Sequence, residues 1–240
     1  MTNSDIEKSQ IRYARLAGFM YLFVIVADLL SIFITTRFDV PGNFAETAHR
    51  IIESELLYRI GLSSGFIGSL CTVFLAMGLY VAVKPVDGNL ALLAFLFRLA
   101  EATLGATQSI ISYAFLKLYI GADSVNAFGA NQLSVLMNLH STANSAGMNI
   151  AAILFSIGST LFFYLFLKST YIPKILSALG LFASVLVTIS SFASLISPQP
   201  AKTLQLGWLP IFVAEISVGL WLLFKGVNLR PGRTESRSTL

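Results

Sequence analysis

Six stretches of about twenty or more mostly apolar residues recur along the chain. A helix of that length spans the roughly 30 Å hydrocarbon core of a bilayer. The stretches run Leu16–Thr36, Leu57–Val83, Leu90–Leu118, Ala143–Leu167, Ile172–Ile196 and Leu206–Phe224. They are too long for barrel strands, which take about 10 residues, and they do not alternate. Charged residues make up only 12% of the 240 residues, against about 25% in soluble domains. With so few charges the chain cannot cover itself for water. A soluble enzyme, a disordered chain and a nucleic-acid binder are thereby excluded as readings. The expected fold is all-α: one integral membrane bundle of six transmembrane helices, occupying the whole chain as a single domain.

The first stretch follows Lys8, Arg12 and Arg15. It is longer than a signal-peptide core, and no small-x-small cleavage site follows it, so it is expected to stay as a signal anchor. Lys and Arg then set the orientation. With the N-terminus inside, ten of the sixteen bases fall on the inner side, among them Lys84, Lys168, Lys174, Lys225, Arg230, Arg233 and Arg237. Five fall outside, among them Arg50, Arg59 and Lys202, and Arg98 remains within a span. Both termini are expected on the cytoplasmic side. The net charge of +4 and the pI of about 9.3 then belong to bases that meet anionic headgroups rather than to a nucleic-acid surface. Arg59, at the outer end of its span, is expected to snorkel to those headgroups.

Two inner connections, Pro85–Asn89 and Lys168–Pro173, read as tight turns, and two outer ones are longer. In the first, Phe44–Glu53 carries apolar and charged residues at helical spacing, as an interfacial amphipathic helix does. The second, Gly121–Thr142, sets Asn126, Asn131, Asn138 and His140 around Leu133, Val135, Leu136 and Leu139, and reads as another short interfacial helix. The Arg-, Ser- and Thr-rich tail after Asn228 reads as disordered. No internal repeat is evident, which weighs against an inverted-repeat transporter.

Four ionisable residues lie well inside the spans: Asp28, Arg98, Glu101 and Glu215. Each costs about 2.5–3.5 kcal/mol at the centre of an isolated inserted helix, so such residues are expected to face the bundle interior. Arg98, Glu101, Gly105, Gln108 and Ser112 follow spacings of three and four, which makes one polar stripe on the third span. Arg98 stays protonated and can hold one carboxylate. Three acids beside one Arg cannot all be ionised cheaply in low dielectric, and a neutral carboxyl at mid-membrane is a candidate proton site. The cluster of Asp28, Arg98, Glu101, Gln108 and Glu215 therefore reads either as a structural network that fixes helix register or as a site for a proton or small ligand.

Other features point to packing. Gly61, Gly65 and Gly68 on the second span, and Ala143, Gly147 and Ala151 on the fourth, let helix backbones approach closely. Ser177, Ser184, Ser190, Ser191 and Ser194 on the fifth are expected to bond back to their own helix more than to line a cavity. Cys71 is the only cysteine, so neither an intrachain disulfide nor a cysteine metal cluster is available. The two histidines, His49 and His140, lie in connections, and a membrane haem takes its axial ligands from spans. Phosphate-loop, metallopeptidase and nucleophile-elbow motifs are absent. No cofactor, metal or catalytic residue is expected. A metal held by His49, His140 and Glu55 at the outer face remains an alternative.

Several segments also resemble a known family: Arg15-Leu16-Ala17-Gly18, Glu53–Leu62, Leu79-Tyr80 followed by Lys84-Pro85-Val86, and Phe97-Arg98-Leu99-Ala100-Glu101-Ala102. Together these are similar to a bacterial family of multi-span membrane proteins, domain-of-unknown-function family 4386. The resemblance covers nearly the whole chain. It implies a bacterial cytoplasmic membrane and carries no activity, cofactor or site residue with it. The leading expectation is a non-enzymatic membrane protein whose polar cluster binds a proton or small ligand. The alternatives are a small proton-coupled transporter, an intramembrane enzyme acting on lipid, and a structural partner that packs as a homo-oligomer or against another membrane protein.

Overall fold

The computed structural model describes residues 3–121, 128–197 and 208–229. Seven helices and no strand occur among the described residues: α1 (Asn3–Thr35), α2 (Phe44–Glu53), α3 (Glu55–Val83), α4 (Gly88–Ile120), α5 (Ala130–Ser169), α6 (Lys174–Ile196) and α7 (Trp208–Phe224). Five of them, α1, α3, α4, α5 and α6, are long and apolar enough to cross a membrane. The sixth expected span corresponds to α7, which has 17 residues. Leu206 and Gly207 of that expected span lie outside the described residues, as do Asn126, Lys202, Arg230, Arg233, Arg237 and the tail from residue 230 onward.

Local chemistry sets the helix ends. The Asn43 side chain accepts from the Glu46 amide at 3.0 Å and starts α2. Asp87 does the same for the Leu90 amide at 3.1 Å at the start of α4. These are N-caps, which satisfy amides that have no partner in the first turn. Thr170, with φ 55°, closes α5, and Pro173 caps the start of α6.

The bundle closes on itself in chain order. Helix α1 packs on α3, α3 on α4, α4 on α5, α5 on α6, α6 on α7, and α7 returns to α1. The small residues sit where helices touch. Gly61, Gly65 and Gly68 of α3 lie against Ile34, Ser31 and Asp28 of α1, and Gly18 of α1 lies against the backbone of Gly219 and Leu222 on α7. Apolar burial falls into two clusters. The larger fills the half near the N-terminus of α1 and includes Ala14, Ala17, Tyr21, Leu79, Ala94, Phe155, Phe162 and Leu222. The smaller sits at the opposite end, where Phe44 and Ile51 of α2 meet Tyr58, Leu116, Tyr119, Leu133 and Met137.

Two expectations change. First, α1 begins at Asn3 rather than near Leu16: its first turns are polar but helical, held by the buried Gln10 amide donating to the Ala82 carbonyl at 2.9 Å. Second, residues from Ala130 onward are not a separate interfacial helix. They continue into the fourth span as one helix of 40 residues. At 1.5 Å per residue that is about 60 Å, twice the hydrocarbon thickness, and no proline interrupts it. Arg59, at the outer end of its span, also pairs within its own helix. Its guanidinium is held by Glu55 one turn earlier, with Nη2 2.6 Å from Oε1.

Candidate functional site

The polar stripe of α4 faces the interior. Along it Ala94, Arg98 and Ala102 are buried, with Arg98 only 3% exposed. A buried guanidinium needs room for its stem and a partner for its charge. Room comes from Gly158 of α5, where a side chain would meet Arg98 Cγ at 3.0 Å and the Ala94 carbonyl at 3.1 Å. Charge balance begins with Glu101, whose Oε2 lies 3.0 Å from Arg98 Nη1. The angles of this pair fall outside hydrogen-bond geometry, so it is a charge contact and both atoms keep unused capacity. On its other side the guanidinium lies 4.7 Å from the centre of the Phe155 ring, within cation–π range.

Two further helices complete the site. Glu215 of α7 and Tyr21 of α1 are close enough to feel the Arg98 charge, and Asp28 feels it least. Tyr21 is 3% exposed. Four polar atoms of three residues call for a cause here. Arg98 Nε and Nη1, Glu101 Oε2 and Glu215 Oε1 are all buried and find no hydrogen-bond partner among the described residues. Buried polar atoms are ordinarily paired, and each exception calls for a cause.

The five sequence candidates therefore separate. Arg98 and Glu101 pair on α4, and Glu215 of α7 lies within range of their charges. Asp28 stands on the same face of α1 as Tyr21 but two turns farther along, beside Gly68, and is exposed. Gln108 is farther still along α4, where its amide nitrogen donates to the Asn144 carbonyl at 3.1 Å and to Asn144 Oδ1 at 3.2 Å. It ties α4 to α5 and is not in the Arg98 centre. Sequence reading missed Tyr21, Phe155 and Gly158. An aromatic or glycine in a span carries no signal of its own until a neighbouring helix is known.

The remaining features are more ordinary. Ser177, Ser184, Ser190 and Ser194 each bond a carbonyl three or four residues earlier. Thr188 also donates to Ser156 at 2.8 Å and joins α6 to α5. His49 lies exposed, 3.7 Å from Glu53, while His140 stacks on Phe115 with ring centres 3.9 Å apart. No group of His, Cys, Asp and Glu suited to a metal occurs among the described residues. A cavity of about 520 Å³ lies under α2, lined by Phe44, Ala48, His49, Tyr119 and Leu133 among others. A smaller one of about 320 Å³ is lined by Lys8, Ile11, Arg12 and Arg15 of α1. Neither is lined by Arg98, Glu101 or Glu215.

A family model described as Domain of unknown function (DUF4386) matches residues 16–226. No curated protein and no solved structure matches the chain.

Proposed function

The chain belongs to the DUF4386 family, and from that premise we propose a six-span integral protein of the bacterial cytoplasmic membrane whose Arg98–Glu101–Glu215 centre binds a proton or a small ligand. Both termini lie on the cytoplasmic side, and the protein is a binding rather than a catalytic one. Support for the sixth span is that α7 closes the ring between α6 and α1. At about 25 Å by its 17 residues, it approaches the hydrocarbon thickness.

The observation that carries the binding reading is the unused capacity of the centre. A network kept only to fix helix register gains from being fully satisfied, since each unmet buried polar group costs about 1–3 kcal/mol. Here the buried Arg98 Nε and Nη1, Glu101 Oε2 and Glu215 Oε1 have no hydrogen-bond partner among the described residues. Two carboxyls beside one guanidinium also leave one proton to be taken up or released without breaking the remaining pair. Lipid-directed catalysis fits less well, because His49 and His140 make no hydrogen bond to an acid among the described residues.

A hydrophobic carbodiimide tests this. It reacts with protonated carboxyls in apolar surroundings. Treated in native membranes, the protein should be modified at Glu101 or Glu215, more at acid than at alkaline pH, with peptide mass spectrometry locating the adduct and Glu101→Gln or Glu215→Gln removing it. Absence of modification at both residues across pH would overturn the proton-site reading.

A further inference from the structure

Exposure along the interior faces of three helices changes at one level. On α1, the face defined by Gln10, Ala14, Ala17 and Tyr21 repeats every three or four residues and is sealed throughout. The same face continues seven residues beyond Tyr21 to Asp28, which is exposed beside Gly68 of α3, while Ala27 and Ile34 keep the contact with α3 buried. The lipid-facing side of α1 carries Phe23, Val26, Leu29, Leu30, Ile32 and Phe33, and by the 3.6-residue period Asp28 stands at the border between that side and the contact with α3.

The other helices repeat the pattern. On α4 the sealed run Ala94, Arg98, Ala102 gives way to half-buried Gly105, Ser109 and Ser112, and sealing resumes at Leu116 and Tyr119. On α5 the buried Phe162, Phe155 and Ala152 are followed by exposed Met148, half-buried Asn144 and exposed Ser141, before Met137 and Leu133 are buried again. The two apolar clusters are thus separated by a level at which α4 and α5 turn partly exposed, largely polar positions inward, while α1 and α3 stay packed on each other. Glu101 stands at its edge, with 19% of its side chain exposed against 3% for Arg98.

We propose that this level is a water-filled inlet, entered from the side of the membrane that carries α2 and ending on Glu101, through which protons and small hydrophilic cations reach the Arg98–Glu101–Glu215 centre. It rests on the reading of that centre as a binding site and adds a direction and a charge preference. The direction follows from the floor: Tyr21, Arg98 and Phe155 close the interior toward the N-terminal end of α1. The preference follows from Asp28 at the wall, since an acid in a low-dielectric channel concentrates cations. Polar hydroxyls and amides supply the rest of the wall, as a wet site requires.

Cysteine accessibility tests it. Single cysteines replace Asp28, Ser112 and Met148 in a Cys71→Ser background, with Ala94→Cys below the floor and Leu96→Cys on the lipid face as references. The full-length protein is reconstituted in sealed vesicles. Membrane-impermeant methanethiosulfonates should modify the first three from the α2 side only, and at Ser112→Cys and Met148→Cys the cationic reagent should react several-fold faster than the anionic one. Ala94→Cys should resist both, and Leu96→Cys should react only with a lipid-soluble maleimide. Reaction of the first three with the maleimide alone would mean a lipid-filled cleft, and protection from every reagent a closed bundle. Either result overturns the inlet. Failure here beside carbodiimide adducts at Glu101 or Glu215 would sink the inlet and leave the site standing.

Discussion

Arg98 and Glu101 stand one turn apart on α4, with Nη1 and Oε2 3.0 Å from each other and the guanidinium face turned to Phe155. Removing one member of a buried pair leaves an uncompensated charge, which costs about 3–5 kcal/mol. Arg98→Ala should therefore lower the unfolding midpoint in mild detergent sharply at alkaline pH. The deficit should shrink toward acid pH, because a protonated carboxyl needs no counter-charge. Glu215→Gln is expected to leave stability equal or higher, since the buried Glu215 Oε1 makes no hydrogen bond that the amide would lose. If Glu101→Gln and Glu215→Gln both destabilise as much as Arg98→Ala, the centre is structural.

Glycines on different helices should respond in opposite directions. A side chain at Gly158 meets Arg98 and the Ala94 carbonyl, and overpacking of this kind costs about 1–3 kcal/mol. At Gly88, the first residue of α4, nothing lies within 4 Å of an added Cβ. Gly88→Ala should gain about 0.4–1 kcal/mol by restricting the unfolded chain. Thermal midpoints of Gly158→Leu and Gly88→Ala, measured side by side, check the sign of each.

Apolar run length made the five long spanning helices legible, and spacings of three and four made the α4 stripe legible. Apolarity, however, marks where a chain meets lipid and not where a helix stops. Hence α1 starts earlier than Leu16, and α5 runs on through Asn138 and His140 beyond the expected boundary. The make-up of the centre was half legible. Arg98, Glu101 and Glu215 stand out because their cost in lipid is high. Tyr21, Phe155 and Gly158 join them only through the order in which helices pack. The exposure of Asp28 likewise depends on how α3 packs beside it, with Gly68 against its carboxylate, which no spacing within α1 records.

Helix α2 depends on its cap. Asn43 accepts from the Glu46 amide, and the Thr47 hydroxyl accepts from the Val40 amide at 3.0 Å, so the chain is bound on both sides of the first turn. Replacing an Asn cap by Ala costs about 1 kcal/mol. Asn43→Ala should speed amide exchange over residues 44–53 several-fold and leave α3 and α4 unaffected. Equal exchange in the two proteins would mean that burial of Phe44 and Ile51 alone holds α2.

The contact between Gln108 and Asn144 should be far weaker than its place between two helices suggests. Hydrogen bonds between membrane helices average about 0.6 kcal/mol, because the unfolded reference in lipid also finds partners. The Gln108 amide gives both its contacts to the one residue Asn144, and the carbonyl contact survives any side-chain change at position 144. Asn144→Ala should thus cost less than Gln108→Leu, and both should fall well short of Arg98→Ala. Because the two residues act as one unit, the double variant should cost no more than Gln108→Leu alone. A double-mutant cycle on thermal midpoints measures this directly. Additive losses would show that Gln108 and Asn144 hold separate partners, and that α4 and α5 are joined at this level by more than the one contact.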